Sequence, residues 1–469
     1  MQILKFTIPI ALLLTGLIGC TSLNEAGTKT EITFSTAPRV VERKSDSDVA
    51  TSLPDNPTLD DYLLFALKNS ATLKASFLSY KSSLLKAPQV STLPDPVLSY
   101  GYFFQQVETR VGPQQHKVGV MQPIPWFGKL SLKESIANHE ARAALYSFLL
   151  KKNQLASQVV SAYFELAFLE QATQITEANL ELLKRWEQVV TQRYRSQTGT
   201  QADLIKVQVE LGKMEDKLQE LSQLKQPLLS RFNALLNRRS DAPTEIDPKG
   251  LEGTSISPMQ TSEVSQGNLE QKLPEHNPEL LLLEALTKAK EAGIDLANKN
   301  FYPDFGIGAD YIFVGDRDSA GSESGDDALV GMFSITLPLY RSKYKAALSQ
   351  AETDKAAILQ MKTAKFHELS AELAKTIFET TDSRRRIRLF RDTLIPKADE
   401  SLESTYTAFE AGESTFLELL DTERSVLDFQ LSLARAQADL QIASAKLRSL
   451  LGDYSKEDAL TEGKGGIVK

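Results

Sequence analysis

The chain has 469 residues, a formal net charge of -8, 42% hydrophobic residues and a single cysteine, length enough for two or three ordinary domains. One cysteine excludes a disulfide scaffold. Charges of both signs are interspersed and no basic block or aromatic-basic stripe occurs, which argues against nucleic acid as a partner.

At the N-terminus Lys5 precedes an apolar run from Ile8 to Ile18, too short to span a bilayer and the size of a signal-peptide core. The chain is therefore expected to be exported. The run ends in Leu17-Ile18-Gly19-Cys20, which resembles the bacterial lipobox, whose cysteine becomes the lipidated first residue of the mature protein. That makes 1–20 a lipoprotein signal peptide, with a lipid anchor on Cys20 and no cofactor; the alternative is a cysteine that merely ends a cleaved leader. Thr21 follows it instead of Asp, and the resemblance implies sorting to the outer membrane. Residues 21–57, rich in Ser, Thr, Lys and Glu without an apolar period, read as a flexible tether.

Beyond the tether one plan runs twice, the second copy about 210 residues after the first. Pro94-Asp95 returns as Pro303-Asp304, Val118-Gly119-Val120 as Val330-Gly331-Met332, Pro125-Trp126-Phe127 as Pro338-Leu339-Tyr340, and Gly199 with Leu204 as Gly412 with Leu417. The repeats are assigned to 58–268 and 269–452, followed by a tail at 453–469. Each holds a short helix, two strand-like segments, a very long helix, a glycine-marked turn and a shorter helix.

In the first repeat strands are expected at about 97–106 and 116–124, helices at about 130–196 and 203–238, and an insert rich in Pro, Gly and Ser within 239–268. In the second, strands are expected at about 304–314 and 328–337, and helices at about 342–408 and 416–451. From Leu204 a heptad seam runs through Val207, Leu211, Met214 and Leu218. The helix after Gly412 carries one seam at Leu417, Leu420, Leu427, Leu431 and Ala434, and a second at Leu419, Val426, Leu433, Leu440 and Leu447. Two seams imply two neighbouring helices, so a sheet or ring of rods is favoured over a two-stranded coiled coil; a long bundle with a wide core is the other arrangement.

The strand segments alternate. Phe305, Ile307, Ala309, Tyr311 and Phe313 share a face opposite Gly306, Gly308 and Asp310, and Leu98, Tyr100, Tyr102 and Phe104 share a face opposite Ser99, Gly101 and Gln105. Segments of roughly ten residues with one greasy and one small or polar face suit a transmembrane barrel. Soluble hairpins on a helical body are the alternative. Four strands cannot close a membrane barrel, so oligomerisation is expected. Pro94, Pro96, Pro123, Pro125, Pro303 and Pro338 fall at the helix–strand junctions, where proline ends a ladder and enforces extended backbone before it. The loop from Gly315 to Ala328 is polar and acidic, as an outward loop would be. His116, His139, His276 and His367 are scattered and read as surface residues, and no Cys, Met or His cluster offers a soft-metal site. No nucleophile-base arrangement, metal-ligand spacing or phosphate loop marks an enzyme.

From about Leu59 to Leu451 the duplicated plan, the junctions "LPDPVLSYG" and "PWFGKL" and the turns "RYRSQTGTQADLIKVQVEL" and "YTAFEAGESTFLELLDTE" resemble the outer-membrane efflux factors of the TolC family. The resemblance implies a fold that is mainly α with a membrane β-barrel portion: a homotrimer with a twelve-strand barrel in outer-membrane lipid and a twelve-helix periplasmic cylinder. It implies an exit channel fed by a periplasmic adaptor and an inner-membrane transporter, with the junction motifs closest to the branch serving heavy-metal pumps of the resistance-nodulation-division type. A type I secretion component and a non-conducting periplasmic coiled-coil lipoprotein are the alternatives. Gly199, Thr200, Gly412 and Glu413 would form the tips that dock the adaptor. Glu418 and Asp421 match the family's inward carboxylates, whose crowding around a threefold axis would raise pKa values and favour cations at a periplasmic gate; two solvated acids are the simpler reading. The family's latch Arg and Tyr are replaced by Ser414 and Phe409, which leaves Arg424 or Arg195 to close the tip.

Overall fold

The computed structural model describes residues 53–247, 251, 266–316 and 325–455. Cys20 with its signal peptide, the tether before Leu53, the middle of the acidic loop, most of the insert and the tail after Ser455 lie outside the described residues.

Three short helices, α1 (Leu59–Asn69), α2 (Ala71–Leu84) and α3 (Lys86–Ser91), lead into β1 (Val97–Thr109) and β2 (Gly112–Ile124). The long α4 (Lys129–Arg195) follows, then α5 (Gln201–Leu235), α6 (Gln266–His276) and α7 (Pro278–Lys299). The second hairpin is β3 (Asp304–Val314) and β4 (Ala328–Thr336), after which come α8 (Arg341–Leu389), α9 (Ile395–Ala411) and α10 (Phe416–Leu450). With 67 residues and no proline, α4 is a rod of about 100 Å. Among the described residues no helix is long and apolar enough to cross a membrane.

The rods lie side by side. Toward the strands α4 packs against α2 and α3 on one side and α7 on the other, and α7 packs against α8. Beyond the middle, α5 takes the place of α2 beside α4, and α10 takes the place of α7 between α4 and the α8–α9 column. The two seams of α10 are thereby both used: Leu420, Leu427 and Ala434 are buried, as are Leu419, Val426 and Leu447. Leu417 is an exception at 45% exposure: in the first turn of α10 it is Phe416, Leu419 and Leu420 that are buried, and Leu417 faces away from them.

The helix expected at about 342–408 is interrupted. Phe390–Leu394 form a π-type turn, and α9 resumes with Pro396 in its first turn. A proline withholds one N–H and clashes with the carbonyl four residues earlier, and a wider turn relieves both. After α5 and the insert the chain continues in two helices, α6 and α7, with Asn277 capping α7 through the amides of Glu279 and Leu280 at 2.9 and 3.3 Å. Its Nδ2 donates to the Leu450 carbonyl at 2.9 Å, tying α7 to the end of α10.

Halfway along the rods, Tyr62 and Leu63 of α1 meet Val159, Tyr163 and Phe164 of α4, Phe232 of α5, Leu251 from the insert and Tyr454 from the tail. The Tyr62 hydroxyl donates to the Glu245 carbonyl at 2.9 Å, and Asn233 Nδ2 donates to the Ala242 carbonyl at 2.9 Å, so the insert is pinned halfway along the rods.

The strands form one antiparallel sheet in the order β1-β2-β3-β4. β1 extends to Thr109 and β2 starts at Gly112, with a register shift between Tyr102 and Val107. The registers Leu98–Val120, Val120–Ala309 and Ile307–Phe333 place the apolar residues on one face. Phe104, Leu98 and Phe333 on that face are 95%, 72% and 68% exposed. Pro123 sits beyond the last β1 pair, Val97–Met121, so β2 there has a partner only in β3, a position that tolerates a missing donor.

Candidate functional site

The strand–helix junction is built by both repeats together. Trp126 N donates to Asp304 Oδ1 at 2.7 Å, and the buried Lys129 reaches the same oxygen at 2.8 Å. The Trp126 ring stacks on Tyr302 at 5.1 Å. Gly128, at φ 86°, makes the corner that starts α4. Pro94 and Pro96 precede β1, Pro123 closes β2 with Pro125 just beyond it, Pro303 precedes β3 and Pro338 follows β4.

The opposite face of the sheet is shaped by absent side chains. A Cβ on Gly119 would lie 2.1 Å from Asp310 Oδ1 and 2.8 Å from Ser99 Oγ, and one on Gly306 or Gly308 would lie 3.1 Å from Met121 Sδ. Asp310, buried, pairs with Lys117 across the sheet. His116 is no isolated surface residue. Its Nδ1 is 2.8 Å from the Tyr100 hydroxyl, and its ring lies against Tyr102 and Phe313 in an aromatic group on the apolar face.

At the far end the two turns differ although each carries a glycine. Gly412 is left-handed, at φ 80°, and ends α9 with Glu413 N bonded to the Ala408 carbonyl at 2.8 Å. In the first turn the positive φ of 60° falls on Gln197. Gly199 serves by close approach, since a Cβ there would lie 3.0 Å from Arg193 Cβ. Thr200 then caps α5 by accepting from Asp203 N at 3.2 Å.

Below the turns Trp186 and Leu183 of α4, Val207 of α5, Phe409 of α9 and Phe416, Leu419 and Leu420 of α10 form a buried apolar knot. Arg193, two residues before the Arg195 expected from sequence, spans the two tips: its guanidinium lies 4.4 Å from the Phe409 ring centre and donates to the Phe409 carbonyl. Phe409 thus joins the two turns through its ring face. Arg424 donates to Glu210 Oε1 and Oε2 at 3.1 and 2.5 Å and to Asp421 Oδ1 at 3.0 Å, joining α5 to α10.

Glu418 and Asp421 are placed on α10 one turn apart, and each is engaged within its own chain. Glu418 accepts from Ser414 Oγ at 2.6 Å and Thr415 N at 3.0 Å, closing a capping box with Thr415. These bonds, Ser414's first, hold its carboxyl below the usual range, opposite in sign to the crowding expected from the resemblance. The sequence signal for this role was present in Thr415-x-x-Glu418. Sequence reasoning missed Glu210, Glu423 and Asn179, which sit among apolar seam positions and become neighbours only through packing.

Comparison with known proteins places this geometry. The profile of the family described as "Outer membrane efflux protein" matches residues 269–453, the second repeat. The chain is 20% identical over 399 residues to the cobalt-zinc-cadmium resistance protein CzcC of Cupriavidus metallidurans, covering 84% of this chain and 90% of that one. It is 23% identical over 336 residues to the outer membrane protein TolC of Vibrio cholerae, covering 70% and 74%. The solved structure of CusC, described with its transmembrane channel formation, superposes with a TM-score of 0.72 at 16% identity, covering 87% of this chain and 95% of that one. The profile match over the second repeat, the relatives that span both repeats and the shared sheet-and-rod fold agree: what this chain is similar to is the outer membrane efflux proteins.

Proposed function

We propose that this chain is the outer-membrane exit channel of a tripartite efflux system, a homotrimer anchored by a lipid on Cys20 and conducting passively from an inner-membrane pump through a periplasmic adaptor. The observation that carries the reading is the sheet: an exposed apolar face and two open edges, β1 and β4, joined at their junctions to rods of about 100 Å. Unpaired edges are not stable in lipid, and three copies supply each edge with a partner. Of the two cargo classes considered, heavy-metal cations and drugs, the junction motifs together with the likeness to CzcC support heavy-metal cations, delivered by a resistance-nodulation-division pump. The tips around Gly199, Thr200, Gly412 and Glu413 are the adaptor's docking end, and Glu418 with Asp421 lines the periplasmic aperture.

Reconstitution in planar bilayers tests the reading. A trimer by mass in detergent with discrete conductance steps is expected, and cation preference should fall when Glu418 and Asp421 are both changed to Ala. A monomer in detergent, or a trimer without conductance, favours the non-conducting structural lipoprotein instead.

A further inference from the structure

Glu423 lies two turns into α10, is 1% exposed and takes no part in the channel reading above. It is the repeat counterpart of Glu210: each stands 11 residues beyond its tip glycine, Gly412 or Gly199. The two carboxyls have different fates. Glu210 receives the guanidinium of Arg424 and the ammonium of Lys213, at 3.3 Å. Among the described residues Glu423 receives only an amide proton, from Asn179 Nδ2 on α4. The other amide atom, Asn179 Oδ1, is buried and lacks a hydrogen-bond partner.

A carboxylate offers acceptors alone and leaves Asn179 Oδ1 orphaned. A neutral carboxyl adds one O–H donor and satisfies it, so acid and amide become complementary on both atoms. We propose that Glu423 and Asn179 form a buried proton-binding site, a neutral carboxyl paired with a carboxamide, which clamps α10 to α4 beside the tip and loosens when the proton leaves. The charged surroundings agree. Glu210 on α5 and Asp428 on α10 repel a second negative charge, and Arg424 on α10, although adjacent, is committed to Glu210 and Asp421. Burial first, and the nearby Glu210 second, push the Glu423 carboxyl up to about 7. That value sets the direction: the clamp is closed in mildly acidic solution and weakens as pH rises through neutrality. The site is a property of the folded tip and does not depend on what the channel conducts.

Hydrogen exchange of the full-length trimer in detergent, corrected for intrinsic rates, tests this without requiring conductance. If opening exposes Glu423 fully, protection over 204–214 and 416–430 should fall about thirtyfold from about pH 5.5 to about pH 8.5 in the wild type, given an ordinary value of 4.5 and a folded value of about 7. Glu423→Gln carries the donor permanently and should hold protection within about twofold over that range. Equal slopes in the two proteins, or a flat wild type, overturn the proposal. Should Glu423→Gln fail to fold, infrared spectra of the wild type decide: a protonated-carboxyl stretch that survives at about pH 6.5 and disappears by about pH 8.5 is expected, and its absence at the lower pH rejects the site.

Discussion

α5 and α10 descend from the same part of the repeat and end in different situations. α10 runs between α4 and the α8–α9 column, and both of its apolar stripes are covered by its own chain. α5 packs against α4 and stands at the outer edge, where Ile205, Val209 and Leu224 remain 52%, 53% and 45% exposed. At the other edge α8 exposes Leu359, Met361 and Phe378. The sheet repeats the contrast, with β2 and β3 paired on both sides and β1 and β4 on one. A single chain therefore satisfies its interior rods and strands and leaves matching debts at both edges, which a cyclic assembly of copies would cover.

The largest effect that sharpens this comparison belongs to the interior. Leu419→Ala, at a fully buried position in the tip knot, should cost about 2–5 kcal/mol in denaturant unfolding. Arg424→Ala comes next. It leaves the buried Glu210 without its bidentate donor and should cost about 1–3 kcal/mol. Its pH signature is specific. Arg424, with Lys213 assisting, holds the Glu210 carboxyl below its ordinary value of 4.5, so this stabilisation is complete above that value and is lost as pH falls through the lowered folded value. Acid unfolding curves of Arg424→Ala should accordingly be shallower than wild type in that window. Thr415→Ala, which removes the α10 cap, should cost about 1 kcal/mol by the same measurement.

The smallest effect on the chain itself is the most telling for assembly. Ile205→Glu with Val209→Glu, at the exposed edge of α5, should shift the unfolding of a detergent-isolated monomer by no more than about 0.5 kcal/mol. The same pair should abolish the proposed trimer in native mass measurements. If the trimer persists, that edge is not an interface between copies.

Much of the fold was legible because its signals are local. A long run without proline gives α4, period-two alternation gives the strands, and prolines mark the junctions. The two seams of α10 announced its two neighbours. The π-type turn before Pro396 escaped, because a heptad pattern does not record one extra residue in a turn. Arg193 lay outside the sequence expectation of Arg424 or Arg195, because only packing shows which side of α4 faces Phe409. Gly199 and Gly412 look alike in sequence, yet one admits close approach and the other a left-handed backbone.

By itself the sequence determined the duplicated plan, the lengths of the rods, the greasy face of the strands and the positions of the corners, all of which follow from residues near one another in the chain. Only the tertiary structure decided which carboxyl meets which cation. Glu210 and Glu423 hold equivalent places in the two repeats. One faces Arg424 and the other Asn179, 244 positions away along the chain. Coulombic and hydrogen-bond energies depend on separation in space, and that separation is fixed by how the rods pack.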